Sequence, residues 1–481
     1  MLARASRVPR RRAQSVRERR FQPPAGSFLQ FARLASVRWR FAHRIGARMH
    51  RLRLAARWIS CASLTTALVL AAAAAPAAPF DVLDAAQDGV GGVDGLDGAR
   101  ALAPSPDGAH VYVVSALESA LAAFAVDSAG SLTQVDVEKE GVAGVAGMAS
   151  PVDVVVSPDG AHVYVAGFAG NAIAIFARDA EDGALAFVGA TFDADLPSGG
   201  LAGASGVATS PDGAFLYTTA GVSDAVAAFA RDPATGLLEW IETESGDPLL
   251  DGAVDLAPSP DGALLYVVAQ GVSADALLTY ARDPQSGALT LADSEQNGAN
   301  GVEGLEFPNA LAVAPGGAHL YTAAGFAGQQ GTIPGRLALF RRSPQDDATH
   351  YVSLWADGAN GVDGLGYAIG IATTPSGGHV LATGAADGAL AVFARDRTTG
   401  LLAFERAIRD DADPALLLDA AVDVAADPLG RFVYALSLNE DAVTVFAPEP
   451  GAAACAAAAC AALAGLRQRR ARPQPWKPKR P

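Results

Sequence analysis

Three carboxylates recur at one position of an internal repeat. Asp153, Asp255 and Asp423 each stand five residues before the proline of a turn, where the other copies have Ala101, Gly206, Ala310 and Gly370. Arg100 and Asn309 come one residue earlier in their copies. Carboxylates that converge can take a proton from water, and an arginine beside them can hold a developing oxyanion. The same carboxylates can instead cap backbone N–H groups where a link enters a strand. Both readings stay open at this point.

A second pattern offers oxygen ligands. The links DGVGGVDGL (88–96), NGANGVEGL (297–305) and DGANGVDGL (357–365) each place two side-chain oxygens six residues apart on a glycine-rich loop. The pairs are Asp88 with Asp94, Asn297 with Glu303, and Asp357 with Asp363. Ca²⁺ takes six to eight oxygens, and carbonyls and water can complete such a shell. Glycine at positive φ and carboxylates capping tight turns explain the same residues without an ion. EGVAGVAGM (140–148) has Glu140 but Ala146, so it is an internal control. No cofactor is required by any motif, and Ca²⁺ is the one ion the pattern admits.

The elements that position these residues follow from the repeat. SPDG occurs at 105–108, 157–160, 210–213 and 259–262, with degenerate copies at 314–317, 374–377 and 427–430. The turn prolines, 106, 158, 211, 260, 315, 375 and 428, are 49 to 60 residues apart. Each copy reads strand, SPDG turn, strand, strand, RDxxTG-type turn, strand, with alternating or β-branched apolar residues in the strands. Tyr112, Tyr164, Tyr217, Tyr266, Tyr321 and Tyr434 recur on the second strand, and Phe124, Phe176, Phe229, Tyr280, Phe340, Phe393 and Phe446 end the third. Fixed aromatics in every copy read as packing between neighbouring sheets.

Seven four-stranded antiparallel sheets specify an all-β, seven-bladed β-propeller. The seventh copy, 421–450, supplies only three strands. FDVLDA (80–85) is a fourth strand with no other three before it. The N-terminal strand should therefore pair with the last blade and close the ring. Antiparallel order puts the uniform SPDG and RDxxTG turns on one face. The variable loops and the DGxxGVDGL links lie on the other, which is where a site is expected. His110, His162, His319 and His379 share a position beside the hairpin turn and read as a surface-strand feature. No Ser-His-Asp, HExxH, CxxC or phosphate-loop pattern is present in the core.

Composition divides the chain. The whole chain has 36 basic and 51 acidic residues; 23 basic and one acidic lie outside 80–450, leaving 13 and 50 inside, a net of −37. Such a surface repels nucleic acid, whose binding depends on Lys and Arg neutralising phosphates. No cysteine lies in 80–450. Residues 1–48 carry thirteen Arg and one acid, and are a basic leader or sequence upstream of a true start at Met49. Residues 49–78 have the anatomy of a secretory signal peptide. The propeller follows at 80–447. Residues 448–472 combine Pro448-Glu449-Pro450, a short apolar run and an Arg cluster, and 473–481 read as a disordered tail.

The C-terminal pattern resembles the PEP-CTERM sorting signals, although Cys455, Cys460 and the Pro-rich tail depart from it. That resemblance implies export, transient membrane association of the segment, and a final place in the periplasm, at the cell surface or outside. The blade grammar, SPDGxHVYV followed by DNAVxVFxRDxxTGxL, resembles the lactonase-like seven-bladed propellers of phosphogluconolactonase and carboxymuconate-cyclase type. RFVYALSLNEDAVTVF (431–446) is the nearest stretch. In enzymatic members an Arg-Asn pair entering an inner strand and a usable His on the functional face are expected. Here the matching entry is AVDV (421–424), and the histidines fall on the other face. The sequence reading is therefore an exported, surface-associated binding or scaffold module for an extracellular small molecule, polymer or protein. Its alternatives are a lactone hydrolase using Asp153, Asp255 or Asp423 with Arg100, and a calcium-binding propeller.

Overall fold

In the computed structural model the described residues are 80–271, 275–328, 331–409 and 416–447, with the side chains of 327, 328, 331 and 332 excepted. The segments read above as a basic leader, a signal peptide, a sorting signal and a tail all lie outside them. Among the described residues no helix is long and apolar enough to cross a membrane.

The strands form seven antiparallel sheets of four. Blades 1 to 6 span 99–139, 151–192, 204–245, 253–296, 308–356 and 368–409. Blade 7 takes Ala421–Ala426, Val433–Ser437 and Ala442–Phe446, and its outermost strand is Val82–Gln87 from the N-terminus. Val82 lies opposite Phe446 and Gln87 opposite Ala442. The expected ring closure is what the chain adopts. It is locked further where the Leu132 N–H of blade 1 donates to Asp84 Oδ2 at 2.8 Å.

The turn residues have identifiable tasks. In the first SPDG turn the Ser105 hydroxyl donates to Asp107 Oδ1 at 2.6 Å and accepts the His110 N–H at 3.0 Å. Gly108 sits at φ 66°, a region closed to most side chains. Tyr112 and Phe176 pack in one cluster built from blades 1 and 2, as aromatics at blade junctions should. Burying each such side chain contributes about 1.5–3 kcal/mol, so the blades hold one another by their faces.

The histidines correct the sequence reading. His110, His162 and His319 are buried, not surface features. Each meets an arginine from the end of the next blade's third strand. Arg178 donates Nε to the Tyr112 hydroxyl at 2.7 Å, Nη1 to the Gly160 carbonyl at 2.9 Å, and Nη2 to Asp107 Oδ2 at 3.1 Å and His110 Nδ1 at 2.8 Å. Arg231 repeats this with Tyr164, Gly213, Asp159 and His162. Arg282 does so with Tyr217, Gly262 and Asp212, and Phe215 takes the histidine's place beneath its guanidinium. Arg395 uses Tyr321, Gly377 and His319. Burial and the neighbouring arginine both lower the pKa of His110, leaving a neutral ring whose Nδ1 accepts. A planar, permanently charged fork suits this four-way junction, which lysine could not fill.

Candidate functional site

The channel position is where the innermost strand of each blade carries a β-bulge, for example between Pro151 and Asp153. A bulge aims the following side chain out of the ladder. Each of the three aspartates uses that aim to join two blades. Asp153 Oδ1 accepts its neighbour Val154 N–H at 2.8 Å, and Oδ2 accepts Val207 N–H of blade 3 at 2.7 Å. Asp255 holds Leu256 and, across the junction, Leu311 at 2.8 Å. Asp423 holds Val424 and the blade 1 residue Leu102 at 2.9 Å. The capping reading of these carboxylates is therefore present in the geometry. Where glycine replaces aspartate, backbone approaches instead: a Cβ on Gly370 would lie 2.9 Å from the Val422 carbonyl oxygen.

These carboxylates are largely enclosed by protein, and each stays partly exposed. Burial raises their pKa against the pull of the backbone N–H groups: Asp255 to about 7 and Asp423 to about 6. Asp153 is raised well above the ordinary range by burial and then by the charge of Asp255. The three thus sense one another across the channel. Each carboxylate oxygen has a second lone pair, so water remains able to donate to it. Of the two polar residues at the mouth, Asn309 is committed, donating Nδ2 to the Ala368 carbonyl of blade 6 at 2.8 Å. Arg100 is exposed and makes no hydrogen bond or ion pair among the described residues.

The links close on themselves. Asp88 Oδ1, Asn297 Oδ1, Asp357 Oδ1 and the control residue Glu140 each accept the N–H eight residues on, from Leu96, Leu305, Leu365 and Met148, at 2.9–3.2 Å. The first oxygen of each candidate pair is thus a turn closure shared with the control copy. The second oxygens diverge. Asp94 lies with Asp88 and Glu118 in a group whose ligand atoms fall within 4.8 Å of one another, and Asp357, Asp363 and Asp387 form a like group. Each group already contains a cation. Lys139 Nζ is 2.9 Å from Asp94 and 3.2 Å from Glu118, and Arg409 Nη2 is 2.5 Å from Asp363. Ca²⁺ would have to displace an ammonium or a guanidinium, so these residues fit the ion poorly. Glu303 is exposed, and no acidic group of this kind forms around it among the described residues.

A feature the sequence reading missed lies on the same face. The residue entering each blade is left-handed: Gly98, Ser150, Gly203, Gly252, Phe307, Tyr367 and Ala420, at φ 48° to 72°. Glycine takes this conformation freely, whereas a bulky residue there costs about 1–3 kcal/mol. Phe307 and Tyr367 accept that cost side by side. Phe307 stacks on Phe326 with centroids 5.1 Å apart, and Phe326 meets Tyr367 edge-on at 6.5 Å. Phe326 comes from the hairpin of blade 5, extended to Gly328 opposite Gly331. On the opposite face a concavity of about 790 Å³ is lined by His319, Arg341, Arg342 and Asp347. Its Arg342 is neutralised by Asp261 and Asp347, and it lies away from the channel mouth.

Residues 87–197 and 191–303 match the family model described as lactonase, seven-bladed beta-propeller. No curated protein matches significantly. Solved structures of similar fold include a Bacteroides uniformis protein provisionally named a 6-phosphogluconolactonase, with 22% identity, 64% of this chain and 84% of that one covered, and a TM-score of 0.52. The periplasmic gluconolactonase of Pseudomonas aeruginosa has 20% identity, coverage of 64% and 85%, and a TM-score of 0.50. Hydrazine synthase of Kuenenia stuttgartiensis has 17% identity, coverage of 75% and 98%, and a TM-score of 0.53. Enzymes of such different names on one fold confirm that architecture alone does not carry the reaction. With its blade grammar and ring closure taken together, the described chain is a seven-bladed β-propeller, and its residues 87–303 are similar to the lactonase propeller family.

Proposed function

We propose that the propeller hydrolyses a lactone at the channel mouth. The observation that carries this reading is the convergence of Asp153, Asp255 and Asp423 at the channel, where burial raises Asp255 to about 7 and the charges of Asp255 and Asp423 act on Asp153. A general base works best with a pKa near the operating pH. In this scheme water at the aspartate ring attacks the lactone carbonyl and gives its proton to the carboxylate; collapse of the oxyanion then breaks the ring C–O bond, and the carboxyl returns the proton to the departing ring oxygen. Arg100, with no partner of its own, supplies the cation for the oxyanion. The lactonase family match over 87–303 supports the same class.

A second reading is a binding or scaffold module. It is favoured by the use of both oxygens of Asp153, Asp255 and Asp423 as inter-blade caps. In either case the composition of the two ends supports an exported, surface-associated protein.

The test is lactone hydrolysis by the purified protein, comparing Arg100→Gln and Asp255→Asn with the parent. Arg100 holds nothing in the fold, so its variant separates chemistry from structure. Turnover reduced about 100-fold or more in Arg100→Gln, with unchanged melting, supports hydrolysis. No turnover of any sugar or aliphatic lactone by the parent leaves the binding module.

A further inference from the structure

The aromatic group at the entries of blades 5 and 6 has polar neighbours with unmet demands. Asp275 begins the third strand of blade 4 and accepts the Phe307 N–H, yet its Oδ1 is buried with no partner. Glu306, next to Phe307 in the chain, pairs with Arg336. That pair is neutral, which leaves the Asp275 carboxylate as an uncompensated charge beside Phe307, and Asp387, which accepts the Gly366 N–H, adds a carboxylate next to Tyr367. The surrounding domain adds a strongly negative field.

We propose that Phe307, Phe326 and Tyr367, with Asp275, form a binding site for an organic ammonium ion of the quaternary or alkylated type. Aromatic faces attract such cations through their quadrupole, and a methylated ammonium loses little hydration on leaving water. The buried Asp275 oxygen supplies the counter-charge. Backbone strain held at Phe307 and Tyr367, where Gly98, Gly203 and Gly252 serve the same turn without cost, presents the rings at the surface. Anionic ligands are disfavoured by the same field. A neutral ring compound would stack but would leave the Asp275 charge uncompensated. The site is independent of the channel aspartates, and its failure would not bear on lactone hydrolysis.

The experiment titrates the full chain with choline, and with 3,3-dimethylbutanol as its neutral isostere, by calorimetry at low salt. Saturable choline binding at least about tenfold tighter than the isostere is expected, weakening with added NaCl. Phe307→Gly should lose about tenfold in affinity yet melt no lower than the parent, because glycine relieves the left-handed strain. Asp275→Asn should lose a similar factor, and Phe168→Ala, an exposed aromatic on another loop of the same face, should change nothing. Absence of saturation, equal binding of the isostere, unchanged affinity in Phe307→Gly, or a lower melting temperature of that variant would each overturn the proposal.

Discussion

Val126 packs in one buried cluster with Tyr434, at the repeat position from which Arg178 reaches Tyr112 one blade later. Valine cannot donate, and the Tyr434 hydroxyl is left buried without a hydrogen bond. Arg431, from blade 7 itself, takes over the Gly108 carbonyl and pairs with Asp427 at 2.9 Å. The junction on the other side of blade 7 lacks the arrangement too, since Leu381 stands where other blades have tyrosine. There Phe80 lies edge-on to His379 at 5.4 Å, with Arg406 above its ring. The blade completed by the N-terminal strand is thus joined to both neighbours by different chemistry from the four junctions at which Arg178, Arg231, Arg282 and Arg395 meet a tyrosine hydroxyl.

Two matched substitutions test this difference. Tyr434→Phe removes an unsatisfied buried hydroxyl and should stabilise by about 1 kcal/mol, whereas Tyr164→Phe strips Arg231 Nε of its acceptor and should destabilise by about 1–3 kcal/mol. Thermal melts of the two variants should move in opposite directions from the parent. A fall for both would mean that the Tyr434 hydroxyl is satisfied in solution.

Deleting 80–87 should lower the melting temperature sharply. The deletion exposes the edge of Ala442–Phe446 and removes Phe80 and Ala86 from the core. Buried apolar side chains at about 1.5–3 kcal/mol each make this a large part of a typical 5–15 kcal/mol stability. An unchanged transition would exclude ring closure by this strand.

The channel aspartates make stability depend on pH. Their folded pKa values are raised above the unfolded value of about 3.9, so between pH 4 and 7 the native state binds more protons. Stability from these groups is therefore present at low pH and is lost as pH rises through the folded values, about 6 for Asp423 and about 7 for Asp255. Surface carboxylates such as Asp159 act oppositely. Burial opposes its ionisation, but Ser157, the Ala161 N–H and Arg231 together lower its pKa, so its effect falls below about pH 4. Denaturant midpoints of Asp255→Asn should decline less than the parent's between pH 5 and 8. An identical slope would place the titration elsewhere.

Calcium at the links should depend on the resident cation. Parent protein titrated with millimolar Ca²⁺ should show no heat, while Lys139→Met, which vacates the group of Asp88, Asp94 and Glu118, should bind weakly. Strong binding by the parent would establish the links as calcium sites despite Lys139.

The seven-bladed ring was legible in the sequence because its causes are local. Proline and glycine recur at turn positions, apolar residues alternate between them, and a lone first strand leaves a vacancy in the seventh copy. The repeat also pointed to Asp153, Asp255 and Asp423, and the link residues Asp88, Asn297 and Asp357, as positions with a common task. What that task is depended on neighbours about fifty residues away. Only the assembled ring brings the Val207 N–H to Asp153 and the Leu102 N–H to Asp423. The arginines show the limit most plainly. Arg178 stands in FARD, a stretch that reads as the start of an exposed turn, yet its guanidinium lies between two blades against Tyr112, His110 and Asp107. Its burial comes from a partner 66 residues earlier in the chain, and strand periodicity holds no record of that distance. Phe307 and Tyr367 are similar: their rings read as ordinary apolar residues until the backbone places them, left-handed, at neighbouring blade entries.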